Sequence, residues 1–148
     1  MQKIITNSEK QTFNFAKKYA KQLKGNEIVG LTGELGAGKT IFIKGLAAGL
    51  GIKKTITSPT FVLMKVYPIK SNVKCQMSNV KCLVHIDAYR IKSAQDIIAI
   101  GVEDYFKRQD TIAAIEWADR IKKILPKKTK YININSINMN RREIIIKK

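Results

Sequence analysis

Apolar positions along the chain follow two rhythms: short continuous runs, and stretches spaced by three and four. The first marks buried strands and the second marks helices. Residues 3–6 read as a short strand. Ser8 then precedes a helical pattern with Phe13, Ala16, Tyr19, Ala20 and Leu23 on one side. Ser8 and Gln11 have the spacing of a capping box, and Gly25 is a natural stop. Residues 27–32, EIVGLT, form a continuous apolar run and predict a buried strand. A helix is expected over about 39–50, closed by Gly51. Residues 61–67 are a further strand candidate. Runs at 83–86 and 111–115 are two more, each followed at once by an acid. Residues 93–107 read as helical with an interruption at Gly101, and 117–125 as a short helix stopped by Pro126. Residues 130–135 and 143–148 alternate like a closing hairpin. Strands alternating with helices predict an α/β fold. Its central sheet is expected to be mostly parallel and flanked by helices, with a C-terminal antiparallel strand pair.

Composition narrows the class. The chain has 148 residues, the length of a single domain spanning 1–148. Apolar residues make up 45% and charged residues 26%, enough to build a core without disulfides. Lys and Arg number 28 against 11 Asp and Glu, a formal net charge of +17. That balance points to a polyanionic partner: a nucleotide, a nucleic acid or an acidic protein face. Cys75 and Cys82 are too few for a disulfide framework or a four-ligand zinc site. The N-terminus lacks a signal-peptide core, and no run approaches the ~18 apolar residues of a membrane span. The expectation is a cytoplasmic protein with no membrane partner. SNVKC occurs twice, at 71–75 and 78–82, inside a segment (about 68–82) that reads as a loop or hairpin extension.

Between the strand at 27–32 and the helix that follows lies GELGAGKT, Gly33 to Thr40, a full match to G-x-x-x-x-G-K-[ST]. Glycines let backbone amides crowd around phosphate oxygens at a helix N-terminus, whose partial positive charge favours an anion. Lys39 adds a full charge for the β- and γ-phosphates, and the Thr40 hydroxyl is suited to Mg²⁺. The plain alternative is a glycine-rich structural turn. Ligands of such sheets gather at the carboxyl ends of strands. Asp87 and Glu116 occupy those places, as Mg²⁺ ligands or water-orienting groups, or as ordinary loop charges. His85 shares a strand face with Asp87 and is a candidate orienter. No [NT]-K-x-D element for guanine is present, which favours ATP.

GELGAGKT (33–40), TSPTF (57–61), HIDAYR (85–90) and IEWADR (115–120) together resemble the TsaE (YjeE) family. These are P-loop ATPases of bacterial tRNA threonylcarbamoyladenosine (t6A) synthesis. The resemblance implies a P-loop NTPase-like fold and an Mg²⁺-dependent ATPase that is weak without its partners. It implies that Gly33, Gly36, Ala37, Gly38, Lys39, Thr40, Ile41 and Trp117 hold ATP, and that Thr40, Glu116 and Asp87 hold Mg²⁺. Asp87, Glu116 and Lys39 would be catalytic. Thr57 to Thr60 would sense nucleotide state. Thr6 to Glu9 and one of Arg141 or Arg142 would border the adenine. Ile41 stands where some members carry a second threonine. The implied partners are TsaD and TsaB, with tRNA reached through that complex, and hydrolysis would reset the complex between turnovers.

Two rival readings share the phosphate loop: a small P-loop kinase of a metabolite or nucleoside, and a basic RNA-binding module with a regulatory nucleotide site. The last 28 residues hold nine Lys or Arg and one acid, a polarity that suits tRNA phosphates.

Overall fold

A computed structural model describes residues 1–70 and 79–147. Cys75, the first SNVKC copy and most of the expected extension therefore lie outside the described residues.

The elements run β1 (Gln2–Thr6), α1 (Glu9–Ala20), β2 (Glu27–Thr32), α2 (Lys39–Gly49), β3 (Met64–Pro68), β4 (Cys82–Asp87) and α3 (Ala94–Ile98). They continue with α4 (Val102–Lys107), β5 (Thr111–Glu116), a 3₁₀ turn (Ala118–Ile121), β6 (Lys130–Ser136) and β7 (Arg142–Ile146). All strands join one seven-stranded sheet in the order β1-β7-β6-β2-β5-β4-β3. Its centre, β6-β2-β5-β4, is parallel. β3 pairs antiparallel at one edge, while β7 and then β1 do so at the other. The expected mostly parallel sheet with a C-terminal antiparallel pair is thus observed. The sheet also recruits β1 as its outermost strand, beside β7.

Every residue of β4 and β5 is buried, which explains why CLVHID and TIAAIE read as runs rather than alternations. Helices α1 and α2 cover one face over Phe42, Leu46, Val29, Leu31 and Ile132. Helices α3 and α4 and the 3₁₀ turn cover the other over Val84, Ile86, Ile115, Phe106 and Ile121. Gly45 and Gly49 let α2 lie directly on α1. A Cβ at either would collide with α1 carbonyls and with the methyl groups of Ala16 or Ala20.

Three boundaries differ from the sequence expectation. Helix α1 gives way at Ala20 to tighter turns that still bury Leu23. Ser8 Oγ accepts from the Gln11 amide (3.1 Å), but the Gln11 side chain accepts from Asn7 rather than from Ser8. β3 begins at Met64 instead of residue 61, because the preceding residues form a turn with Leu63 at φ 63°. That turn closes through Leu63 N–H to the Pro59 carbonyl (2.6 Å). The expected helix over 117–125 is only a four-residue 3₁₀ turn, entered from Trp117 in the left-handed region (φ 59°).

The register fixes where chemistry gathers. Asp87 is level with Glu116 on the next strand, and Glu116 is level with Leu31 on β2. The loop leaving β2 therefore emerges beside both acids.

Candidate functional site

The loop after β2 is shaped by two glycines. Gly33 (φ 130°) runs so close to β6 that a Cβ would strike the Ile134 carbonyl. Gly38 (φ 104°) is the N-cap of α2, in a conformation that L side chains avoid. Around Gly36 the space is open to a distance of 4 Å from where a Cβ would lie. Ala37 turns into the core, and Ile41 lines the mouth beside Gly36 and Gly38. The mouth is a cavity of about 480 Å³ that also takes in Lys39, Thr40, Ser58, Thr60, Asp87, Glu116 and Trp117.

Lys39 is only 4% exposed. Its ammonium donates to the carbonyls of Gly33 (2.8 Å) and Glu34 (2.6 Å). It also sits 3.8 Å from the centroid of the Trp117 ring, a cation–π contact. Burial lowers its pKa, while the carboxylates of Glu116, Asp87 and Asp119 pull it back up.

The two acids are held differently. Glu116 accepts from the Thr40 hydroxyl, 3.0 Å from each carboxylate oxygen, and lies 2.9 Å from His85 Nε2. His85 and Glu116 are both buried, and among the described residues His85 Nδ1 has no partner. With the Glu116 carboxylate as its acceptor, His85 donates from Nε2. Asp87 Oδ2 accepts from Ser58 Oγ (2.6 Å) and Thr60 Oγ1 (2.9 Å), and Oδ1 accepts from the Tyr89 amide (2.8 Å). Asp87 is thereby tied to the 57–61 segment, and the Asp87 amide donates to the Leu63 carbonyl (3.0 Å).

Aromatic rings wall the mouth. Tyr89 and Trp117 lie 5.0 Å apart, with the Arg120 guanidinium 5.2 and 5.4 Å from their centroids. Arg90 instead covers the exposed Phe61 (4.5 Å). Of the two C-terminal arginines, Arg142 is the one that approaches the loop. It is buried, donates to the carbonyls of Asn138 (2.8 Å) and Met139 (3.0 Å), and brings Nε near Gly38. Arg141 is exposed. The Thr6 hydroxyl is committed to Thr12 (2.7 Å), whereas Glu9 lines the mouth.

Lys39, Thr40, Asp87, Glu116 and Trp117 thus converge, as the motifs suggested. The sequence missed the cross-strand pair of His85 and Glu116 and the seat of Lys39 on Trp117. Strand alternation placed His85 correctly, but its partner depends on β4 lying beside β5. Among the described residues no group of three or more His, Cys, Asp and Glu could hold a metal by itself. Thr40, Asp87 and Glu116 bring one hydroxyl and two carboxylates to the mouth. That hard-oxygen set fits Mg²⁺, which keeps waters and substrate phosphates in its shell rather than a full protein cage. No described helix is long and apolar enough to cross a membrane.

Fold and mouth together define a class: an α/β protein whose strand–glycine loop–helix unit opens between two strand-end carboxylates. The family model described as threonylcarbamoyl adenosine biosynthesis protein TsaE matches residues 6–144. The chain belongs to the TsaE family, which takes part in t6A biosynthesis. It is 40% identical over 143 residues to a tRNA threonylcarbamoyladenosine biosynthesis protein TsaE of Rickettsia typhi, covering 96% of this chain and 92% of the relative. A protein of the same name from Treponema pallidum is 34% identical over 144 residues, covering 97% and 98%. The crystal structure of YdiB from Bacillus subtilis superposes with a TM-score of 0.78 at 32% identity, covering 98% of this chain and 83% of that one.

Proposed function

We propose that this protein binds and hydrolyses ATP with Mg²⁺ within the t6A37 modification system, acting with TsaD and TsaB to support repeated turnover. One observation carries the reading. A buried lysine, a hydroxyl bonded to one strand-end carboxylate and a second carboxylate bonded to the 57–61 segment all line one mouth. Amides of the loop and the N-terminus of α2 favour the phosphates. Among the described residues the Lys39 ammonium has only carbonyls and a ring as partners. A phosphate oxygen is a charged and stronger acceptor. Thr40, Glu116 and Asp87 would hold Mg²⁺, which supplies neutralisation of charge developing on the phosphates. Glu116, fixed by His85, and Asp87, fixed by Ser58 and Thr60, keep oriented acceptors where an attacking water can lose its proton. The bonds from Ser58 and Thr60 to Asp87 give the 57–61 segment a direct link to nucleotide state.

Trp117 is the one tryptophan in the chain and touches Lys39, so its fluorescence tests the first step. Titration with ATP and Mg²⁺ is expected to give a saturable change. Lys39→Ala is expected to weaken that affinity about 10–150-fold, the worth of a hydrogen bond to a charged group. Equal affinity in the two proteins would remove Lys39 from the site.

A further inference from the structure

The end of the sheet opposite the candidate site carries another chemistry. There β2, β4, β5 and β6 begin and β3 ends. The loops at this end touch in series. Lys128 Nζ donates to Asn26 Oδ1, and the Asn26 amide donates to the Thr111 carbonyl (2.8 Å). The Lys81 amide donates to the Asp110 carbonyl (2.7 Å), and the Ile69 amide to the Lys81 carbonyl (2.8 Å). A Cβ on Gly25 would collide with the Gln109 carbonyl, so those two loops are in close contact.

Exposed cations follow this edge in strand order. Lys127 and Lys128 precede β6, Lys24 precedes β2, Lys107 precedes β5, Lys81 precedes β4 and Lys70 follows β3. The acids of these loops are already engaged: Glu27 with Lys130 (2.5 Å) and Asp110 with Arg108 (2.9 Å). At a strand spacing of about 4.8 Å, the five strands spread the row over roughly 19 Å. At its β3 end, Lys53, Lys54 and Lys70 rim a cavity of about 560 Å³ walled in part by Ile52, Tyr67 and Pro68. None of the described residues lining it is acidic.

We propose that this edge binds the phosphate backbone of an RNA, with an unstacked base entering the cavity. A row of exposed cations suits a chain of phosphates, and each phosphate neutralised releases counterions. A cation-rimmed apolar cavity suits a base splayed from a single-stranded loop, a feature an acidic peptide would leave unused. The choice of RNA over an acidic protein also rests on the reading of the chain as part of a tRNA-modifying system. Because the edge lies across the sheet from the mouth, RNA and nucleotide can be held together.

Fluorescence anisotropy of a labelled tRNA transcript, titrated with the full chain and no nucleotide, tests this. Wild type is expected to bind saturably, with log affinity falling as log salt rises. The triple variant Lys81→Gln, Lys107→Gln, Lys128→Gln is expected to bind at least about tenfold more weakly. Its salt slope should be flatter by roughly one for each phosphate that is no longer neutralised. An unchanged melting temperature and an unchanged ATP response of Trp117 would assign the loss to the edge. Absence of saturable binding by wild type, or identical affinity and slope in the variant, would overturn the proposal. Equally strong competition by polyglutamate of matched charge would overturn the choice of RNA. Since no nucleotide is added, loss of the ATPase reading leaves this result standing, and the reverse also holds.

Discussion

His85 is the residue whose role the motifs leave most open and the fold defines most sharply. It is buried, donates from Nε2 to Glu116, and has no partner at Nδ1 among the described residues. If Glu116 is held for the reaction by this bond, His85→Leu should lower ATP turnover about 10–100-fold, the usual cost of losing a group that orients a metal-site ligand. ATP affinity read by Trp117 should stay near wild type. His85→Gln, which keeps an N–H donor, should recover part of the rate. Equal turnover in the Leu and Gln variants would make His85 a packing residue only. At this scale the glycine loop was legible because all its chemistry is contiguous, Gly33 to Thr40. The bond between His85 and Glu116 was not, because it joins residues 31 apart through the pairing of β4 with β5. Neither residue's neighbours in sequence reveal that pairing.

Among the elements, the junction of α1 and α2 is the least tolerant. Gly45→Ala would push a methyl into the Phe13 carbonyl and the Ala16 methyl. Overpacking of this kind costs about 1–3 kcal/mol. The thermal midpoint should fall by several degrees, with ATP affinity little changed because Gly45, Phe13 and Ala16 do not line the mouth. An unshifted midpoint would mean that the helices separate freely. The sheet's antiparallel edge has its own clamp. Glu143 on β7 pairs with Lys3 on β1 and accepts from Asn135 on β6 (3.3 Å). The bond from Lys3, then that from Asn135, lowers the Glu143 pKa below its ordinary 4.5. A carboxyl lowered on folding adds stability above its unfolded pKa and loses it as pH falls through the folded value. Wild type should therefore lose more thermal stability than Glu143→Gln on going from pH 6 to pH 3. Parallel pH curves would remove the clamp. The strand cores of β2, β4 and β5 were readable as apolar runs. The position of β1 beside β7 was not, since an edge strand's partner lies across the whole chain. The 3₁₀ turn after Trp117 was also hidden, because 117–125 has helical spacing whichever helix forms.

Across the whole molecule, chemistry is divided between the two ends of one sheet. Acids, hydroxyls and the buried lysine gather where parallel strands end. A row of exposed lysines, Lys127, Lys128, Lys24, Lys107, Lys81 and Lys70, follows the end where those strands begin. The excess of positive charge was visible in the composition, but the alignment of this row required the strand order. The four motifs pointed to the family, and the match over residues 6–144 bears that out. Hydrolysis of ATP is the step on which the rest of the proposed function turns. Its most direct test is Mg²⁺-dependent phosphate release by the full chain, alone and with TsaD and TsaB, in wild type, Lys39→Ala, Asp87→Ala and Glu116→Ala. Low release is expected from the chain alone, with a rise on adding the pair. Lys39→Ala should lose activity, and each acid variant should be slower by about 10²–10⁴-fold, the usual cost of a lost proton acceptor. Release unaffected by the pair and equal in all four proteins would contradict a partner-gated ATPase built on these residues.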